Sequence, residues 1–196
     1  MIVASDLDEI ISKVSKTYEF DERRIVGIML ARYNLPEVKN LIDSCYLYWH
    51  YNTGASFNIF WCGYGEYGIP EGDHIIRVTG DRLAYFDLKK FISSKRKLNR
   101  LVNGEYRDHL QLILVNYYEG KLHFDESARI DLEQDIAETD GGIRGFMEWL
   151  TTECGAEFDV ASLIRNLHRE RRWTALTQIT LSDIVSGAIR IADVVL

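Results

Sequence analysis

The fold is decided by residues 24–62, which read RIVGIMLARYNLPEVKNLIDSCYLYWHYNTGASFNIFWC. Residues 24–31 and 56–62 are short runs with apolar side chains on both faces, the pattern of strands buried inside a sheet. Between them, Pro36 opens a stretch in which apolar residues recur every three or four positions, which predicts an amphipathic helix that ends near Gly54. Two buried strands joined by one helix predict a parallel pair with a right-handed crossover.

The flanking sequence adds further elements to this unit. A helix is predicted over 5–16, with Ser5 and Asp8 forming a capping box at its start. A hairpin is predicted over 110–124, because the tight-turn signal at 119–120 separates a strong strand from an alternating one. The other predicted elements are a glycine-rich loop over 63–72, a short strand over 74–79, and helices over 87–103, 143–150, 160–171 and 181–195.

The order of these elements predicts the architecture. After the first helix come strand, helix, strand, helix, strand, strand and helix, which indicates an α/β (α+β) fold with a mixed sheet of four or five strands. Residues 1–154 form the sheet domain in this prediction, and residues 155–196 form a helical C-terminal extension packed on it or on a partner. The alternative is a ferredoxin-like sandwich, which holds if the helix over 87–102 connects different strands.

The element order βαβ-α-ββ-α resembles that of thioredoxin-like proteins. Thioredoxins carry Cys-x-x-Cys at the start of the first long helix and a proline before the third strand. Here that helix begins Asn34-Leu35-Pro36-Glu37, and Asp108-His109-Leu110 stands where the proline would be. The resemblance therefore implies the architecture and not the redox chemistry, since a fold by itself does not define a function.

The composition is that of a globular protein and excludes several classes. The chain has 196 residues, 46% of them hydrophobic, with 23 Lys+Arg against 30 Asp+Glu and a net charge of −7. These values exclude a disordered tail, a collagen-like repeat and a coiled-coil rod, and no apolar run reaches the ~18 residues of a membrane span. Asp6, Asp8 and Glu9 near the start do not fit a secretory or transit peptide.

The three cysteines favour a reducing compartment. Cys45, Cys62 and Cys154 are odd in number, widely spaced and without a Cys-x-x-Cys motif. This pattern argues against a disulfide framework and against structural zinc. We therefore expect free thiols and a cytoplasmic location, with no metal and no cofactor.

The sequence lacks the common catalytic motifs. It contains no nucleophile elbow, no Walker loop and no His-Glu-x-x-His. Gly63-Tyr64-Gly65-Glu66-Tyr67-Gly68 matches the dinucleotide-binding pattern, but no helix is predicted after it, so it is interpreted as a surface loop. An enzyme acting on a small molecule or nucleotide is an alternative, with a centre at Cys62, His50 or the His123/Asp125 pair.

Aromatic residues are concentrated between positions 46 and 67, which hold nine of the chain's 23. A helix and the strand after it bury only part of this set. The rest is predicted to be exposed and to anchor an interface, because tyrosine offers stiff contact area with a polar tip. Core packing and a ligand-stacking platform are the alternative interpretations. The predicted interface tyrosines are Tyr48, Tyr51, Tyr64 and Tyr67.

Basic residues cluster between positions 87 and 107. This segment carries seven Lys or Arg against Asp87 and Glu105, a net charge of +5. In a chain of net charge −7, it predicts a dipolar surface that orients a charged partner. A solvated helix face and a nucleic-acid contact are the alternatives. The candidate contact residues are Lys89, Lys90, Arg96, Lys97 and Arg100.

These observations favour recognition over catalysis. We expect a non-catalytic protein–protein interaction component of a cytosolic multi-protein assembly, which binds a protein partner or another copy of itself and makes no membrane contact. Val195 and Leu196, at the apolar end of the last predicted helix, are expected to pack on the domain or on that partner. Small proteins of this kind often serve bacterial multi-component systems, including antiviral defence. The alternatives are the enzyme above and a nucleic-acid-binding subunit.

Overall fold

The chain forms a mixed α/β fold, seen in a computed structural model that describes residues 2–52, 57–66, 74–77, 83–133, 142–169 and 180–181. The described strands are β1 (Ile2–Ala4), β2 (Arg24–Leu30), β3 (Asn58–Cys62), β4 (Tyr64–Glu66), β5 (His74–Arg77), β6 (Leu83–Phe86), β7 (Gln111–Tyr118), β8 (Lys121–Asp131) and β9 (Thr180–Leu181). The described helices are α1 (Leu7–Thr17), α2 (Pro36–Asn52), α3 (Leu88–Leu101), α4 (Gly142–Ala156) and α5 (Val160–Arg169).

Five strands form the central sheet in the order β1-β3-β2-β7-β8, and the two-residue strand β9 extends it at β8. β1 and β2 both pair with β3 in parallel, whereas β7 pairs with β2 and β8 in antiparallel fashion. The prediction of a mixed sheet of four or five strands is therefore confirmed. β2 and β3, which α2 joins, are direct parallel neighbours, and β3 is also parallel to β1. The ferredoxin-like alternative requires an antiparallel sheet, in which the strand between two helix-connected strands runs opposite to both.

A second, smaller sheet departs from the sequence prediction. β4, β6 and β5 form an antiparallel sheet between β3 and α3, where the sequence indicated a loop over 63–72 and one short strand. The loop assignment is wrong for residues 64–66, and residues 67–73 lie outside the described part of the chain. β4 and β6, of three and four residues, show too little alternation to be recognised from sequence, and β1 was missed for the same reason.

Helices cover both faces of the central sheet. β2 and β7 are buried along nearly their whole length, as expected of central strands with both faces covered. α1 contacts α3, and α2 contacts α4. The core between these layers includes Trp49 of α2 and Trp61 of β3, whose ring centroids lie 6.2 Å apart.

α1 and α3 start at the same edge of the sheet and contact each other. α1 follows β1 directly, and the backbone N–H of Asp87, which caps α3, donates to the carbonyl of Gly63 just after β3 at 2.8 Å. The Leu7 backbone N–H of α1 donates to Ser94 Oγ of α3 at 3.1 Å. The cap of α1 is Asp6, which accepts from the Glu9 backbone N–H at 2.9 Å, not Ser5 as predicted. The capping pattern is shifted by one residue, and the Glu9 carboxylate accepts a hydrogen bond from the Ser5 backbone N–H.

The C-terminal half follows the predicted order with different boundaries. The 119–120 turn is confirmed, but β8 continues seven residues past Phe124, to Asp131. The predicted division between residues 154 and 155 falls inside α4, and α5 packs against β7 and β8. The helix predicted over 181–195 lies outside the described residues except for Leu181, which belongs to β9. None of the described helices has the length and apolar character needed to span a membrane.

Candidate docking surface

α3 turns an apolar side to the sheet and a basic side to solvent. Phe91, Ser94 and Leu98 are buried, and Asp87 caps the helix by accepting from the Lys90 backbone N–H at 3.0 Å. All five basic residues selected from the sequence are exposed. At 3.6 residues per turn they share an arc of about 120°. We call this set the basic surface: Lys89, Lys90, Arg96, Lys97 and Arg100.

The positive charge of the basic surface is mostly uncompensated. Lys97 Nζ lies 2.6 Å from Asp8 Oδ2 of α1, and this hydrogen bond raises the pKa of Lys97 above its ordinary value. The other four side chains form no ion pair with any residue that the structure describes. Arg96 and Arg100 lie one turn apart, where like charges destabilise a helix. A row of mutually repelling cations fits a surface that meets negative charge on another molecule.

Two apolar side chains are exposed on the helices that form this part of the molecule. Ile11 of α1 is 40% exposed and Leu101 of α3 is 46% exposed. Neither was predicted to be exposed, because both fit the apolar spacing of their helices. A helical projection supplies the missing signal, since it places Leu101 beside Lys97 and toward α1, at the margin of the buried stripe.

The structure separates the predicted interface tyrosines. Tyr51, at the end of α2, is 73% exposed, whereas Tyr64 is fully buried. The Tyr64 hydroxyl donates to the carbonyl of Ala31 at 2.7 Å, and its ring centroid lies 5.1 Å from that of Phe86. The prediction of Tyr64 as an exposed contact is wrong because the residue belongs to β4 and fills the core. Outside the described part of the molecule lie the Tyr48 side chain, Tyr67, Val195 and Leu196.

The cysteine proposed as a nucleophile has the character of a core residue. Cys62 is fully buried, and burial raises the pKa of its thiol to about 12. It is therefore protonated at neutral pH, whereas a reactive cysteine has a lowered pKa and access to solvent. The side chains of His50 and His74 are not among those the structure describes.

His123 and Asp125 do not form an acid–base pair. The His123 ring stacks on Tyr118 with centroids 3.5 Å apart, and its Nε2 lies 3.2 Å from the Tyr118 carbonyl oxygen. His109 lies at the opposite end of the β7–β8 hairpin, where its Nδ1 is 2.9 Å from Asp131 Oδ2. In the described part of the chain, no group of three His, Cys, Asp or Glu side chains is placed to hold a metal ion.

A buried polar network fixes α3 to the sheet. The guanidinium of Arg129 donates to the Asn103 carbonyl at 3.2 Å, to Gln111 Oε1 at 3.1 Å and to Asn99 Oδ1 at 3.1 Å. Burial lowers the pKa of Arg129 to about 10. Gln111 also donates to Asp131 Oδ2 at 3.3 Å. The network holds the helix that carries the basic surface. It could not be predicted from the sequence because its members are distant along the chain.

The chain matches no family model, no curated protein and no solved structure.

Proposed function

We propose that this protein is a non-catalytic interaction component of a cytosolic multi-protein assembly, and that the basic surface docks an acidic protein partner. The observation that carries the proposal is the row of four exposed cations without a carboxylate partner among the described residues. They lie on one face of a helix in a chain of net charge −7. Opposite charge on a partner would relieve their mutual repulsion and orient the encounter.

The chemistry of the described residues favours recognition over catalysis. Cys62 is buried with a raised pKa, and His123 is stacked on Tyr118. Neither group has the geometry of an activated nucleophile or a general base. The two described thiols, Cys62 and Cys154, are free and buried, which supports a location in a reducing compartment.

An acidic protein suits the basic surface better than nucleic acid does. Duplex DNA presents about one negative charge per 1.7 Å of helix axis, so its binding sites are extended and strongly positive. Here Asp8 and Asp87 border the cations directly, and Glu105 follows soon after α3. A compact acidic patch on a protein needs only a few cations and no continuous positive track, which these carboxylates would interrupt.

We also propose that the central sheet belongs to the thioredoxin-like class. The order β2-α2-β3, followed by α3-β7-β8-α4, supports this assignment, with the small sheet inserted before α3. The fold would serve as a scaffold without dithiol chemistry. α2 begins at Pro36 after Asn34 and Leu35, and Asp108 stands where such proteins carry a proline.

Quantitative affinity capture from the native host tests the proposal. The baits are the full wild-type chain, the variant K89Q/K90Q/R96Q/R100Q, and the control K16Q/K121Q/R165Q/R169Q, which removes the same charge at exposed sites elsewhere. We expect the wild type and the control to retain the same acidic proteins, and the first variant to lose at least about 80% of them. Equal retention by all three baits would contradict the proposal, as would a bait recovered alone.

A further inference from the structure

Resting on the proposed docking function, we infer that the partner presents an acidic amphipathic polypeptide segment to the seam between α1 and α3. In this arrangement its apolar side chains contact Ile11 and Leu101. Its carboxylates meet Arg96, Lys97 and Arg100 on the adjoining side of α3.

The two apolar residues follow, along their helices, the contacts that join α1 to α3. The Leu7 backbone N–H donates to Ser94 Oγ at 3.1 Å, and Asp8 bonds Lys97 at 2.6 Å, so these two contacts fix the register of α1 against α3. The two contacts come in the same order along both helices. Ile11 lies three residues beyond Asp8, and Leu101 lies four beyond Lys97. At about 1.5 Å of rise per residue, Ile11 lies about 4.5 Å beyond Asp8 along α1, and Leu101 lies about 6 Å beyond Lys97 along α3.

The chemistry of the seam identifies the partner as polypeptide. Exposed aliphatic side chains beside cations reproduce the apolar centre and charged rim of a protein interface. Single-stranded nucleic acid requires aromatic platforms on which bases stack. The exposed large aromatic residues of the described chain are on other segments: Phe20, Tyr51 and Phe158.

Asp8 competes with the partner for Lys97. Its carboxylate is 74% exposed and holds Lys97 from the α1 side of the seam. A partner carboxylate that approaches Lys97 must displace Asp8 or share the ammonium with it. Removal of the Asp8 charge should therefore tighten binding, an outcome that a misfolded variant does not produce.

Fluorescence anisotropy with designed probes tests the inference on the full chain. The first probe is a labelled 14-residue peptide with Glu and Leu spaced to give an acidic and an apolar face. The second replaces every Leu with Gln, and the third is a 14-nucleotide oligothymidylate. We expect the wild type to bind the first probe about tenfold more tightly than the second, and the oligothymidylate more weakly than the first probe at equal salt.

Three variants separate the contributions to binding. We expect I11S/L101S to abolish the preference for the Leu peptide, and R96Q/R100Q to weaken both peptides by at least about fivefold. D8N should tighten both by about twofold. The control F158S, on another exposed apolar residue, should leave all affinities unchanged.

The outcomes distinguish this inference from the proposed function. If I11S/L101S has no effect, or if the oligothymidylate binds more tightly than either peptide, the inference is wrong. Light scattering that shows concentration-dependent self-association abolished by I11S/L101S would overturn it in favour of a second copy of the chain. If I11S/L101S has no effect on peptide binding, the affinity capture can still succeed and the docking function stands. If the affinity capture fails, the docking function itself is wrong.

Discussion

Two consecutive residues with positive φ set the register of the longest hairpin. Glu119 has φ 50° and Gly120 has φ 73°, the backbone of a two-residue turn that favours Asn-Gly. A Cβ at position 120 would lie 2.8 Å from Phe20 Cδ2. Both strain and crowding therefore oppose any side chain at Gly120.

Substitutions at this turn should change stability in opposite directions. We expect E119N to raise the free energy of unfolding by about 0.5 kcal/mol, because asparagine tolerates positive φ better than glutamate does. G120A should lower it by about 1–2 kcal/mol. Urea denaturation of both variants measures these changes, and a G120A variant as stable as the wild type would refute the turn geometry.

Substitution of Tyr64 can show whether this residue acts in folding or in partner binding. Y64F removes a buried hydroxyl that donates to Ala31, so we expect the free energy of unfolding to fall by about 1 kcal/mol. The yield of captured partner should stay equal to that of the wild type. If Y64F kept full stability and lost the partner, the original assignment of Tyr64 to an interface would be restored.

At the scale of elements, α5 is attached to the sheet through its N-terminal cap. Asp159 accepts from the Ser162 backbone N–H at 2.8 Å and from Asn116 Nδ2 at 3.0 Å, while Asn116 Oδ1 accepts from the Val160 backbone N–H at 2.8 Å. Burial alone would raise the pKa of Asp159. The hydrogen bonds from Ser162 and Asn116 outweigh burial and hold the pKa below its ordinary value of 3.8.

The cap makes the stability contribution of Asp159 dependent on pH. A carboxyl group whose pKa is lower in the folded state than in the unfolded state stabilises the fold at pH values above its ordinary pKa. This contribution is lost as the pH falls through the folded-state pKa. We expect D159A to reduce the free energy of unfolding by about 1–2 kcal/mol at pH 7, with the deficit shrinking below pH 3.8. Denaturation from pH 7 to pH 3 checks this, with D125A as an exposed control. A deficit that is constant with pH would contradict the assignment.

Elements were predictable from sequence where the pattern was long. Seven or more residues of continuous or periodic apolar sequence, or a helix cap such as Asp87, predicted four elements: β2, α2, β3 and α3. β1, β4 and β6 have three or four residues and gave no usable signal. The basic surface was predictable because its members share one helix. The ion pair between Asp8 and Lys97 was not, because it joins two helices far apart in sequence.

At the scale of the whole molecule, charge is distributed unevenly between α3 and the rest. The chain carries −7 overall, yet α3 exposes five cations, four of them without a carboxylate partner among the described residues. The buried network around Arg129 holds this helix in place. A fixed basic face on an acidic molecule directs association through one orientation.

Lysine footprinting of the native assembly tests this account most directly. The chain is captured with its partner, briefly acetylated, and analysed by mass spectrometry alongside the isolated chain. We expect Lys89, Lys90 and Lys97 to be protected at least about fivefold in the assembly, and Lys16 and Lys121 to react equally in both states. Equal reactivity of the α3 lysines in both states, or protection confined to Lys16 and Lys121, would contradict the docking surface.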